Sequence, residues 1–318
     1  MDEPKFGIFL PFYAFQNKSA GVTFTAIRDV VLEGERLGYD SVWLDDHLMC
    51  GDWSVMESWT TLSAFAALTK RVRLGTMVLS MSHRNPSLSA KAAATIDVIS
   101  GGRLEVGFGA GVGRVENEAY GFKYPRLAVR VERLAEAVEL TKRLWTGDKV
   151  TFQGRHYRLR DAVCLPKPLQ KPHPPVIIGG SSGQLLKKVT ARYADRIDFG
   201  YLPFEKYREK LGILATACKA VDRDFAEVEK SCWPGGQVII ATSEKELEQK
   251  IAKMNVMHLS PEEFRKINLM GTPEQVREQL NRWLDLGVTY FMLYFGDLPD
   301  TGGLHLFAEE VMKPMKAF

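Results

Sequence analysis

Three short stretches of this chain set reactive or ligand-facing groups side by side. SVWLDDHLMC, residues 41–50, begins as a buried strand with Val42, Trp43 and Leu44, then lines up Asp45, Asp46 and His47. Successive side chains of an extended chain point to opposite sides, so only one aspartate shares the strand's inward face. A carboxylate beside an imidazole holds it protonated or fixes its tautomer. That suits a proton donor or an electrostatic stabiliser at a reaction centre. An ordinary turn would use the same residues, and the stretch alone leaves both readings open. IIGGSS, residues 177–182, delivers two glycines and two serines from a strand to a helix start. Free N–H groups and the positive end of the helix dipole make such a spot fit for phosphate; the plainer alternative is that Ser181 or Ser182 caps the helix. In GFGAGVG, residues 107–113, Val112 or Arg114 stands where a GxGxxG fingerprint needs its third glycine. That argues against a Rossmann site and leaves a flexible turn or a close approach of backbone to a planar ligand.

Other chemistries find little footing. His83, His156, His173, His258 and His305 show no HxH or HxxxH spacing, so no metal site is expected. Cys50, Cys164, Cys218 and Cys232 lie far apart with no CxxC pair, a pattern suited to a reducing cytoplasm. No GxSxG elbow is present. Trp53 and Trp59 could line a pocket, although tryptophans more often fill cores. The net charge of +3 comes from scattered Lys and Arg, which gives no footprint for nucleic acid. No apolar run approaches the ~18 residues that span a bilayer, and the N-terminus has no basic region of a signal peptide. The expected partner is a small-molecule substrate.

These groups need a scaffold, and the chain alternates short β-rich runs with longer helical patterns. Strands are expected at Lys5–Tyr13, Ser41–Asp46, Val72–Ser80, Arg103–Phe108, Pro175–Ile178, Arg196–Tyr201, Gln237–Ala241 and Thr289–Tyr294. Helices are expected at Thr23–Leu37, Trp59–Leu68, Ser87–Ile99, Leu127–Trp145 and Gly183–Tyr193. Two more open at the capping boxes Ser243–Glu246 and Thr272–Gln275, the first carrying Leu247, Ile251 and Met254. Eight strand-like runs, nearly all followed by a helix, imply parallel strands with helical crossovers. The unbroken alternation favours a closed (β/α)8 barrel, a TIM barrel, over an open doubly wound sheet. Residues 1–318 read as a single domain of this α/β class with insertions near 148–165 and 255–271. The first looks like a hairpin (150–159) and the second like a loop. In such a barrel the site sits at the C-terminal ends of the strands. Asp46 and His47, Met77 to Ser80, Gly109 to Gly111 and Gly179 to Ser182 all fall at such ends.

Taken together, WLDDH (43–47), RVRLGTMVL (71–79), RNP (84–86), AATIDVISGGRLEVGFGAG (93–111), YPRLAVRVERLAEAVELTKRLWTG (124–147), PKPLQKPHPPVIIGGSS (166–182) and GTPEQV (271–276) carry a family likeness. Over essentially its whole length the chain resembles the bacterial luciferase-like monooxygenase superfamily, and within it the deazaflavin-dependent oxidoreductases. The resemblance implies a (β/α)8 barrel with coenzyme F-420 (F420), or alternatively FMN, at its C-terminal mouth. It implies hydride transfer between F420 and a small organic substrate, with Asp46 and His47 at the redox ring and His47 managing proton or charge. It places a non-proline cis peptide between Met77 and Val78 behind the ring. Ala110, Gly111 and Val112 would form the glycine-rich strand end, and Gly179, Gly180, Ser181 and Ser182 the phosphate cradle. A cytoplasmic homodimer, paired through helices near strands two and three, is also implied. The alternatives are a monooxygenase using reduced FMN and O2, and a non-catalytic flavin-binding or partner subunit. The chain departs from deazaflavin sugar-phosphate dehydrogenases at two positions. Gly51 stands where they have Trp, with Trp53 nearby, and Val112 stands where they have Glu; either Glu116 replaces that acid or it has no counterpart. Many other members carry Trp at the Val112 position. A sugar-phosphate substrate is therefore not implied.

Overall fold

The computed structural model describes residues 3–11, 23–253 and 260–317. Its centre is a closed parallel barrel of eight strands. They are β1 (Lys5–Leu10), β2 (Ser41–Leu44), β3 (Arg73–Thr76), β4 (Leu104–Gly109), β5 (Val176–Gly179), β6 (Arg196–Tyr201), β7 (Glu229–Trp233) and β8 (Tyr290–Leu293). Each pairs in parallel with its sequence neighbours, and β8 closes onto β1. The strands read as near-continuous apolar runs because one side faces the barrel interior and the other faces helices.

The helices begin and end where local chemistry dictates. α1 (Phe24–Leu37) starts at Thr23, whose hydroxyl accepts from Ala26 N–H. Its end at Gly38 has φ 90°, the left-handed conformation glycine adopts without a Cβ penalty. α2 spans Ser58–Leu68, and α3 spans Pro86–Ser100. Asn85 Oδ1 accepts from the N–H groups of Ser87 and Leu88, and Pro86 takes the first helical position. α4 (Arg114–Ala119) is a short helix that periodicity did not predict, too brief to show a repeat. α5 (Leu127–Thr146) buries Val131, Leu134, Val138 and Trp145 along one face, and the Trp145 indole donates to Ala90 O on α3. The run from Gly183 to Tyr193 is helical, with one wide π turn at Leu186–Thr190.

Below the mouth, the barrel interior is closed by a buried ionic cluster. Arg196 donates to Glu105 (2.5 Å) and to Glu229 (2.6 Å), and its guanidinium lies 3.9 Å from the Tyr290 ring centroid. Arg73 also bonds Glu105. These residues sit near the strand starts, so the charges satisfy one another at the end opposite the functional loops.

Two expectations need correcting. The seventh strand is not Gln237–Ala241 but Glu229–Trp233. The segment Val238–Ile240 instead pairs with Leu269–Gly271 in a separate two-stranded parallel sheet. VII is the more apolar run, so periodicity favours it; in EKSCW the polar residues are absorbed by the cluster, with Glu229 on Arg196. Residues 255–271 are not simply a loop: a helix (Pro261–Ile267, started by a Ser260–Glu263 capping box) and the strand Leu269–Gly271 lie there. Residues 255–259, Met254, and the end of the first expected strand at Phe12 and Tyr13 lie outside the described residues. The hairpin is present as Val150–Gln153 against Arg158–Ala162, antiparallel. Among the described residues, no helix is long and apolar enough to cross a membrane.

Candidate active site

A cavity of about 500 Å³ opens at the C-terminal ends of the strands. It is lined from β1 by Phe9, from the end of β2 by Asp45, Asp46 and His47, and beyond β3 by Met77 to Ser80. After β4 come Gly109 to Val112, after β5 Gly179 to Ser182, then Asp198 to Gly200 from β6 and Trp233 from β7. Every site residue proposed from sequence therefore faces one cavity. Trp53 and Trp59 do not line it; the first is half exposed and the second is packed in the core.

The two aspartate–histidine neighbours go separate ways. Asp46 is buried, and its carboxylate accepts from Ser80 N–H (2.9 Å), from Arg84 Nε (3.1 Å) and from Arg84 Nη2. His83 Nε2 stands 3.4 Å away. Burial alone would push this carboxyl up, but His83, Arg84 and the Ser80 N–H outweigh it and hold it down at about 2. Arg84 in turn bonds Glu57, the N-cap of α2. Asp46 thus fastens the end of β2 to the segment after β3. The carboxylate that meets the imidazole is Glu116, from α4: both its oxygens lie 3.2 Å from His47 Nδ1, and Oε2 also accepts from Leu48 N–H. Glu116 is only 4% exposed. Because Glu116 accepts, it places a proton on Nδ1 of His47.

The peptide between Met77 and Val78 is cis, as the family resemblance implies. It separates β3 from the two-residue strand Leu79–Ser80 and turns Val78 toward the neighbouring strands. A Cβ placed on Gly107, Gly109 or Gly179 would come within 2.6–2.8 Å of a Val78 methyl. Gly109 and Gly179 therefore make room for Val78, and Gly107 first of all for the Thr76 carbonyl, which explains glycines that match no phosphate motif. Gly111 has φ 86°, and a Cβ there would strike the Ser80–Ser82 hydroxyl pair. Asn117 Nδ2 donates to Val112 O and Gly113 O and so holds this turn against α4.

At the end of β5, Ser182 caps the following helix, accepting from Leu185 N–H. The Gly180 N–H is taken by Asp198 O (2.8 Å). What stays available is the helix start itself, where a Cβ at Gly183 would meet nothing within 4 Å. Arg130 of α5 lines the same cavity. It stacks 3.9 Å from the Tyr124 ring centroid and donates to Pro125 O, while its buried Nε has no protein partner. A cation with an orphaned donor beside a helix start suits an anionic group. Among the described residues, no cluster of His, Cys, Asp or Glu is arranged to hold a metal.

Sequence reasoning missed Asp198, Arg130, Phe9 and Trp233. Asp198 is 2% exposed, accepts from Gly200 N–H (2.6 Å), and is pushed up by burial to about 6. A signal existed: Arg196 and Asp198 share one face of a strand that is otherwise apolar.

A model of the luciferase-like monooxygenase family matches residues 4–258. The F420-dependent glucose-6-phosphate dehydrogenase of Amycolatopsis mediterranei is 33% identical over 221 residues, 64% of this chain and 63% of that protein. Its namesake from Kineococcus radiotolerans is 36% identical over 180 residues, 55% of this chain and 51% of that one. The chain thus matches between about half and two thirds of these relatives' lengths. Two solved structures share the fold. An F420-dependent secondary alcohol dehydrogenase, in complex with an F420–acetone adduct, has a TM-score of 0.81 at 19% identity, covering 99% of both chains. The coenzyme F420-dependent tetrahydromethanopterin reductase of Methanopyrus kandleri has a TM-score of 0.81 at 18% identity, covering 99% of this chain and 100% of that one.

Proposed function

Because the chain belongs to the luciferase-like monooxygenase family, we propose that it is an oxidoreductase using coenzyme F420 to exchange a hydride with a small organic substrate. One observation carries this reading: a carboxylate-fixed imidazole and a cradle for an anion open into the same cavity. The names of the curated relatives support the choice of deazaflavin. When bound, the deazaflavin supplies a two-electron hydride donor or acceptor at a ring carbon.

The protein's own groups divide the remaining work. The helix start at Gly183 and the Arg130 guanidinium would hold the phosphate-bearing tail, with Ser181 and Ser182 beside them. Met77 and Val78 would form the wall behind the ring, with Ala110, Gly111 and Val112 at its edge. Glu116 orients the His47 imidazole through Nδ1, and that imidazole manages the proton or charge at the substrate. Asp46 is a positioning residue that ties Ser80 and Arg84 to the base of the His47 turn.

Titration of the purified protein with each cofactor tests the reading. We expect quenching of F420 fluorescence at micromolar concentration and no comparable FMN binding. Micromolar FMN binding without F420 binding would overturn it in favour of a reduced-flavin monooxygenase. Binding of neither would favour a non-catalytic subunit. In the F420-loaded protein, His47→Ala should lower turnover by about 10²–10⁴ while cofactor affinity stays within a few-fold.

A further inference from the structure

The barrel mouth has two unlike halves. The arc from β2 to β5 carries His47, the Met77–Val78 wall, the glycines and the anion cradle, with Arg130 of α5 beside them. The arc from β6 through β7 to β1 is aromatic. Phe9 and Trp233 meet edge to face with centroids 4.9 Å apart, and Phe199 lines the same side. Phe9 is on β1, four strands around the barrel from the cradle on β5. The Trp233 indole N–H already donates to Gly236 O at 3.0 Å, so the ring is left to present apolar surface.

Charge is distributed in the same way. In α/β barrels a phosphate commonly sits in the loops after the seventh and eighth strands. Here those turns read Pro234-Gly235-Gly236-Gln237 and Tyr294-Phe295-Gly296-Asp297, and the turn after β6 reads Leu202-Pro203; none has Lys or Arg. Arg265, Lys266 and Arg282 line a separate groove; the first two are paired with Glu248 and Glu262, and the third lies over the Phe204 ring. Among the described residues lining the cavity, Arg130 is the one Lys or Arg, and it lies on the cofactor's arc. A sugar phosphate bound beside the cofactor would meet aromatic rings and Asp198 on this arc, with no cation among the described lining residues to offset desolvation.

We infer that the substrate side of this mouth takes an uncharged molecule built on an apolar ring, of the class of aryl or alicyclic ketones and their alcohols, and turns away sugar phosphates. This rests on the F420 reading for where the cofactor lies, but the wall can be tested without turnover. Acetophenone and 1-phenylethanol serve as probes, with glucose 6-phosphate as the comparison, in saturation-transfer NMR on the F420-loaded protein. Transfer to the phenyl protons is expected, with none to glucose 6-phosphate at millimolar concentration. Trp233→Ala should weaken phenyl binding about tenfold, while Trp233→Phe, which keeps a ring, should stay within about threefold of wild type. Circular dichroism and the F420 dissociation constant monitor folding of both variants. Sub-millimolar binding of glucose 6-phosphate would overturn the inference. So would phenyl transfer that Trp233→Ala leaves unchanged in a folded protein. F420 binding is read separately from its own fluorescence; its absence in wild type overturns the cofactor reading, and the phenyl signals then still decide the wall.

Discussion

An imidazole can serve a redox ring only if its proton is on a known nitrogen, and here a residue from a distant helix decides that. Glu116 reaches His47 across 69 positions of sequence, and its second hydrogen bond, from Leu48 N–H, fixes the carboxylate against the same turn. The sequence made Asp46 and His47 legible as a pair at a strand end, because both are local and both fall at the barrel mouth. It could not show that Asp46 turns to Arg84 and Ser80, since adjacency along a strand says nothing about which side chains meet. Glu116 was visible only as the nearest acid after Val112. Glu116→Gln removes the charge and lets an amide offer either N–H or C=O to Nδ1, so the tautomer is no longer enforced. We expect turnover to fall about 10- to 100-fold, as for other histidine-orienting carboxylates. The pH–rate profile should also change shape, while F420 affinity holds within a few-fold. Steady-state kinetics across pH checks this. Wild-type turnover at every pH would reduce Glu116 to a tether for Leu48.

Among the elements, the segment after β3 shapes the rear of the cavity, and Gly109 on β4 and Gly179 on β5 admit its Val78 side chain. Their spacing defeated motif reading because the constraint is a side chain, Val78, arriving from the segment between β3 and Leu79–Ser80. The same limitation explains β7: EKSCW becomes a barrel strand through Arg196, a partner on β6 that no local pattern reveals, while the more apolar VII is drawn away by Leu269–Gly271. Where an element depends on its own residues, as with the caps of α1 and α3, the reading held to within a residue or so. The glycine contact can be probed directly. Gly179→Ala puts a Cβ within 2.8 Å of both Val78 methyls. Overpacking of this kind costs about 1–3 kcal/mol. We expect a lower melting temperature and weaker F420 binding, both partly restored in the Gly179→Ala/Val78→Ala double variant, a non-additivity that marks direct contact. Strictly additive effects would show that Val78 and Gly179 do not share the space.

At the scale of the whole molecule, the alternation of strands and helices was enough to find a closed barrel and to put function at one end of it. The reason is that parallel strands require crossovers and crossovers leave a regular trace. What sequence left out was how charge is stored inside. Two buried aspartates at the mouth shift in opposite directions, so the stability of the ligand-free protein should depend on pH in two ways. Asp46 is held down at about 2 by its partners. Its contribution is present above its unfolded pKa, near 4, and is lost as pH falls toward 2. Asp198 is raised to about 6, chiefly by burial, with only partial relief from the Gly200 N–H, the Arg196 charge and the Ser231 hydroxyl. For a raised carboxyl the sign reverses: stability is full below the unfolded pKa and declines as pH rises through about 6, where the folded state must carry a poorly solvated charge. That shift of about two units corresponds to roughly 3 kcal/mol. Asp198→Asn keeps the shape and removes the charge. Urea denaturation should therefore find the variant more stable than wild type at pH 7 by up to this amount, with the advantage shrinking through pH 5 and gone by pH 4. An advantage that is the same at pH 4 and pH 7 would mean that the Asp198 carboxyl is no harder to ionise in the folded protein than in the unfolded chain, and that the floor of the mouth carries its charge at neutral pH without penalty.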